Sequence, residues 1–167
     1  RIFLIPLLVV AAFERELDGF LKRSPRKEVS ILVTGMGRKR AERTLRQRLS
    51  RSRPRAMVFT GFAGGIHPGL SAGELIVAEE VVDELTQKRF SPTLDLKTDP
   101  MMSRRGRLET AKGVVLTPRS KESLGRRFEA LGVDLETSAL AQVAAEEAVP
   151  WISVRAILDP MEAFLFS

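Results

Sequence analysis

Val29-Ser30-Ile31-Leu32-Val33-Thr34-Gly35-Met36-Gly37 passes directly into Arg38-Lys39-Arg40-Ala41-Glu42-Arg43. The β-branched, apolar opening has the pattern of a strand, two glycines break it, and a helical stretch continues over 38–50. Strand, glycine loop and helix in succession make the building unit of a parallel sheet. The same alternation continues outward. On the N-terminal side 7–11 reads as a strand and 13–22 as a helical turn or short helix. On the C-terminal side a strand over 56–60 ends in the turn Gly61-Phe62-Ala63-Gly64-Gly65. Beyond it, 75–78, 81–82 and 113–116 are strand-like, 120–131 and 137–148 are helical, and 151–157 is a last strand. The stretch 83–112 is polar, carries Pro92 and Pro100, lacks a clear period, and reads as an irregular arm or loop. The expected fold is α/β, a single domain over 1–167 with a mixed, largely parallel central sheet flanked by helices.

Composition excludes several chemistries. The chain has no cysteine and one histidine, which removes disulfides, thiolate nucleophiles and multi-histidine metal centres. No metal or other cofactor is expected. Lys and Arg outnumber Asp and Glu 27 to 21, and the excess gathers between Arg38 and Arg55. That cluster is not interleaved with aromatics and matches no nucleic-acid motif, so a solvated helix face is expected rather than a nucleic-acid surface. The N-terminal apolar run 2–12 comes after Arg1 in the manner of a signal peptide. It contains Pro6, leads straight into Glu14-Arg15-Glu16, and is far shorter than the roughly 20 residues that span a bilayer. A buried first strand, a cytoplasmic location and no stable membrane insertion are the expectations.

Ligands of parallel α/β sheets gather at the carboxyl ends of strands. Here those ends carry Glu14 and Glu16, the two glycine-rich loops, and Asp159, with Glu136 at the start of a helix. Glycine loops let backbone N–H groups approach a sugar or an anion, but neither loop matches a dinucleotide or P-loop fingerprint, and each is equally compatible with a tight turn. Two carboxylates on either side of a glycosidic bond can divide the work between activating water and protonating the leaving group. Each is also explained, taken alone, as a helix-terminal charge or a cap. His67, before Pro68-Gly69, reads as a turn residue, and Trp151 as core or dimer contact.

Five segments in order carry a resemblance. They are Val10-Ala11-Ala12-Phe13-Glu14-Arg15-Glu16, Val33-Thr34-Gly35-Met36-Gly37, Thr60–Gly65 with Gly73-Glu74-Leu75-Ile76-Val77, Val133-Asp134-Leu135-Glu136-Thr137-Ser138-Ala139, and Val154-Arg155-Ala156-Ile157-Leu158-Asp159. Together they resemble the nucleoside phosphorylase superfamily, a three-layer αβα fold, and within it most closely the methylthioadenosine/S-adenosylhomocysteine nucleosidases. A branch associated with hopanoid lipid biosynthesis, acting on a lipid-linked adenosyl group, is also similar.

The resemblance implies an enzyme that cleaves the N-glycosidic bond of an adenine nucleoside or thionucleoside. Glu16 would position the attacking water and Asp159 would donate to purine N7. Glu136 would hold the ribose hydroxyls above Leu135, while Ala63, Gly64, Phe62, Gly37 and Thr117 would complete the substrate site, with Arg155 in it to orient a neighbouring carboxylate. Phe62 stands where the nucleosidases usually have serine, and Phe59-Thr60 where phosphorylases commonly place an arginine. Both departures weaken a phosphate site, although Arg38 or Arg40 could replace the lost groups. The sequence stops eight residues after Asp159, where relatives continue into a closing helix, and it ends in the apolar Phe164-Leu165-Phe166. The implied partners are a small purine nucleoside and a second copy in a homodimer. The alternatives are phosphorolysis with phosphate as co-substrate, including of a lipid-linked adenosyl substrate, and a non-catalytic basic binding module.

Overall fold

The computed structural model describes residues 5–22 and 29–163. The apolar ending 164–166 lies outside the described residues, as does the start of the N-terminal apolar run. Among the described residues, eight strands form one sheet: β1 (Ile5–Ala11), β2 (Val29–Val33), β3 (Pro54–Gly65), β4 (Leu75–Asp83), β5 (Arg89–Phe90), β6 (Ser103–Thr110), β7 (Gly132–Asp134) and β8 (Trp151–Asp159). Four helices accompany them: α1 (Asp18–Leu21), reached through a 3-10 turn at Glu14–Leu17, α2 (Arg38–Leu49), α3 (Pro118–Phe128) and α4 (Thr137–Glu146).

β1 lies between β2 and β3, parallel to both. Leu8, Val9 and Val10 are all buried, as expected for a strand covered on both faces. Beyond β3 the sheet closes on itself. β3 pairs β8, β8 pairs β4, β4 pairs β6, β6 pairs β7, and β7 returns to β3. One face packs Leu8, Val10, Met57 and Phe59 against α2 and α4, with Trp151 stacked on Phe59 at 5.3 Å between ring centroids. The opposite face is covered by Leu17 at one end, and by Phe128 and Leu124 of α3 at the other. Gly125 lets α3 come this close, because a Cβ there would stand 2.0 Å from the Ile66 carbonyl oxygen.

Several expectations need correction. The stretch 83–112 is not one irregular arm, since it contains β5 and the interior strand β6. Arg104, Arg105 and Arg107 obscure that strand in the sequence, but they pair with Glu74, Glu79 and Glu80 of neighbouring β4 and the turn before it. Cross-strand ion pairs of this kind let a charged sequence occupy a sheet. Residues 113–116 are loop, because β6 has already ended at Thr110. The glycine segment 61–65 is a continuation of β3 rather than a turn; its register against β8 shifts between Ala63 and Gly64, where pairing with β7 begins. The helical turn or short helix expected over 13–22 is there, as the 3-10 turn and then one turn of α1. The helix expected over 120–131 runs from Pro118 to Phe128 as α3, and Glu129 in the left-handed region at φ 51° ends it ahead of β7.

Candidate active site

The site grows from the end of β1. Glu16 is the third residue of the 3-10 turn, and its Oε2 accepts the N–H groups of Ala12 and Phe13, both at 2.9 Å. Those bonds satisfy donors that the start of a helical turn leaves unpaired. Oε1 accepts the Phe62 N–H at 3.0 Å, which fastens the turn to β3. Gly61 makes room for this contact. It has φ +137°, and a Cβ there would meet Glu16 Oε1 and Arg155 Nη1, each at 2.6 Å.

Arg155 lies beneath the site and is 2% exposed. It donates from Nη1 to the Thr60 carbonyl at 2.7 Å and from Nη2 to Thr137 Oγ1 at 2.6 Å, and its Nη2 stands 3.0 Å from Asp134 Oδ2. Asp134 in turn accepts the Thr110 hydroxyl at 2.9 Å and the Thr137 N–H at the start of α4. A buried ion pair is tolerable when most of its other positions are hydrogen-bonded, as both Nη atoms of Arg155 are; its Nε has no partner among the described residues.

Glu136 precedes α4 and is 6% exposed. Its Oε1 accepts the Gly37 N–H at 2.8 Å. Burial pushes its carboxyl up to about 7, assisted by the neighbouring charge of Asp134 and opposed by the Gly37 bond and by Arg155.

Asp159 closes β8 beside Gly64, its register partner on β3. A Cβ on Gly64 would lie 3.5 Å from Asp159 Oδ1. Lys121 of α3, fully buried, approaches Oδ2 at 2.5 Å and donates to the carbonyls of Pro160 at 2.9 Å and Ala163 at 2.7 Å. The Oδ2 contact is ionic and lies off the hydrogen-bonding direction, since that oxygen has no hydrogen-bond partner among the described residues.

Glu16, Glu136 and Asp159 line a single cleft, together with Phe62, Ala63, Gly64 and Leu135. Asp134 and Arg15 also reach its lining, and the rest of the wall is largely apolar, which suits a ligand with hydroxyls at one end and a flat ring at the other. Among the described residues, no group of three or more His, Cys, Asp or Glu side chains is placed to hold a metal ion. The sequence pattern of the phosphorylase superfamily matches residues 10–164. The chain belongs to the phosphorylase superfamily.

Within it, the chain is 28% identical over 157 residues to the 5'-methylthioadenosine/S-adenosylhomocysteine nucleosidase of Bacillus thuringiensis, covering 79% of this chain and 68% of that protein. Among solved structures, the Neisseria meningitidis 5'-methylthioadenosine/S-adenosylhomocysteine nucleosidase in complex with methylthio-immucillin-A superposes with a TM-score of 0.82 at 16% identity. That match covers 95% of this chain and 87% of that one. The Streptococcus pyogenes S-adenosylhomocysteine nucleosidase in complex with 5-methylthiotubericidin gives 0.78 at 19% identity, covering 96% and 86%. These likenesses confirm the mixed α/β sheet flanked by helices.

Three residues of the expected substrate set lie behind or beside the cleft wall, and Arg155 among them orients a carboxylate, Asp134. Gly37 acts through its N–H, which holds Glu136. Arg155 is behind the cleft wall, engaged with Thr60, Thr137 and Asp134. Thr117 caps α3, its hydroxyl accepting the Ser120 N–H, and Val114 and Val115 of the preceding loop line the cleft in its place. Phe62 is 36% exposed on the cleft wall rather than packed in the core. Arg38 is not free to bind phosphate: its guanidinium pairs with Asp83 and donates to the Thr110 carbonyl at 2.7 Å. Arg40 extends beside Gly35. Asp83 stays below the usual carboxylate range although burial acts to raise it, because the Ser138 hydroxyl, Thr86 and Arg38 outweigh that effect. Lys121 is the residue that sequence reading missed. A lysine four positions after a helix cap gives no sign that it faces inward.

Proposed function

We propose that this chain hydrolyses the N-glycosidic bond of an adenine nucleoside or thionucleoside of the methylthioadenosine/S-adenosylhomocysteine kind and releases the base. The observation that carries this reading is the placing of Glu16 over Gly61 and Asp159 over Gly64 in one cleft. Those glycines are three residues apart on β3, about 10 Å of strand at 3.3 Å per residue. A ribosyl group fits between the two carboxylates, with Glu136 below to accept its hydroxyls. The superfamily assignment and the nucleosidase relatives support the same substrate class.

In this reading Glu16 takes a proton from water as the water oxygen bonds to C1′ of the sugar. The electrons of the breaking C–N bond pass to the purine, whose N7 takes a proton from Asp159. The sugar carries positive charge midway, and the fixed carboxylates of Glu16 and Glu136 stabilise it. Leu135 supplies an apolar contact beneath the sugar, and Val114 and Val115 face the base.

Water is the favoured nucleophile over phosphate. Glu16 and Glu136 repel an anion at that end, Phe62 offers no side-chain donor, and Arg38 is already paired. The exposed Ile31 and Val33 on edge strand β2 support association as a homodimer, and we place the protein in the cytoplasm. Chromatographic detection of adenine released from methylthioadenosine, with and without phosphate, tests the assignment. Release at equal rates in both is expected. Strict phosphate dependence would convert the assignment to a phosphorylase, and no release from any purine nucleoside would remove it.

A further inference from the structure

We propose that Lys121 is a positioning residue for the base-side acid, holding Asp159 and the segment after it in the geometry that cleavage of the glycosidic bond requires. This rests on the nucleosidase reading above.

Lysine is rarely buried without partners, and Lys121 is fully buried. Its three contacts all lie in one short segment: Asp159 Oδ2 at 2.5 Å, Pro160 O at 2.9 Å and Ala163 O at 2.7 Å. Among the described residues, few other hydrogen bonds hold this segment. β8 ends at Asp159, Pro160 has no N–H to extend the ladder, and the next turn is closed by a 3.1 Å bond from Ala163 N–H to Pro160 O. Among the described residues, Asp159 Oδ2 has no hydrogen-bond donor and Lys121 is its ion-pair partner. Rotation of the Asp159 side chain is therefore restrained from α3.

The same helix begins just after the loop that places Val114 and Val115 on the cleft wall. One side chain thus ties that wall to the wall bearing Asp159. With Oδ2 engaged, Oδ1 is the oxygen left to face the base. For the transfer Oδ1 carries the proton that passes to N7, and the ammonium beside Oδ2 then faces the carboxylate that remains. Lys121 touches no substrate atom in this account and acts only through Asp159.

The test is a double-mutant cycle on the full chain, with adenine release from methylthioadenosine as the readout. Lys121→Met removes the charge, and Lys121→Gln removes it while keeping a neutral donor for the two carbonyls. Each is made alone and together with Asp159→Asn, with thermal melting and adenine binding recorded alongside. Both single variants are expected to lower kcat by on the order of 10²-fold, the scale associated with a misplaced catalytic group. KM should move by less than about threefold, because ribose binding is left in place. In the Asp159→Asn background, the same changes should alter kcat by less than about twofold, since residues acting as one unit are not additive. Wild-type kcat in Lys121→Met overturns the proposal. An equal loss in both backgrounds, or failure of both variants to fold, shows a scaffold role and also overturns it. If the wild-type chain releases no adenine, the nucleosidase reading fails and this proposal fails with it. An active wild type with insensitive Lys121 variants removes this proposal alone.

Discussion

The carboxylate of Glu136 accepts the backbone N–H of Gly37 at 2.8 Å, joining residues 99 positions apart in the chain. One carboxylate oxygen is thereby committed to the loop before α2, and the side chain is oriented from outside its own helix. The same contact favours the ionised form but does not overcome burial, so the group titrates near 7.

Activity is accordingly expected to rise with pH through about 7 and level off above it, because only ionised Glu136 can accept both ribose hydroxyls. A kcat/KM profile between about pH 5 and 9 measures this, a window that brackets the raised carboxyl on both sides. Glu136→Gln should lose on the order of 10²-fold or more, given about 1.5–3 kcal/mol for each hydrogen bond to a charged group. It should also lose the limb near 7. A limb that persists in Glu136→Gln would assign that titration to another group.

Gly61 is the position where a single methyl group would strike the cleft's own side chains. At φ +137°, any side chain is strained by about 1–3 kcal/mol, and its Cβ would collide with both Glu16 and Arg155. Gly61→Ala is expected to lower kcat/KM by on the order of 10²-fold through displacement of Glu16. Thermal melting should fall alongside. Gly69→Ala, also at positive φ but with nothing near its Cβ, serves as the comparison and should leave kcat/KM unchanged.

Glu109 on β6 is fully buried, with neither carboxylate oxygen hydrogen-bonded among the described residues. Burial, helped by the charge of Glu84, pushes its carboxyl from the ordinary 4.5 to about 8. The folded protein therefore holds a proton that the unfolded chain has released between these values, and stability falls as pH rises through that window. The stabilisation is complete below about 4.5 and lost above about 8; Glu136, raised to about 7, contributes in the same direction. Glu109→Gln should melt close to the wild type at about pH 5 and several degrees above it at about pH 9, on either side of most of that window. Parallel melting curves across that range would show that Glu109 does not titrate as described.

Arg155→Met leaves Asp134 as an uncompensated buried charge, and it should cost about 3–5 kcal/mol. Denaturant unfolding of the single variant and of the double variant with Asp134→Asn measures it. The double variant should recover part of the loss, because the second change removes the stranded charge. Full additivity would mean that the two groups do not stabilise one another.

The elements that were legible share one property: their pattern is local. The apolar run of β1 and the strand-glycine-helix sequence around 29–49 show their state within a few residues. β6 was not legible, because Arg104, Arg105 and Arg107 look like loop until the carboxylates of β4 and its entry are beside them. Thr117 illustrates the same limit on a smaller scale. Its hydroxyl serves its own helix, and only the packed loop reveals that Val114 and Val115 face the cleft.

By itself, the sequence determined the α/β class and the order of most strands and helices, and its family resemblance singled out Glu16, Glu136 and Asp159, which line one cleft. Periodicity, glycine placement and ordered motifs are properties of neighbouring residues. Only the tertiary structure decided that the sheet closes through β7, that Gly61 leaves the room in which both Glu16 and Arg155 approach β3, and that Lys121 faces Asp159. Those relationships join residues far apart in the chain. Their geometry is set by register and packing, and no local pattern encodes it.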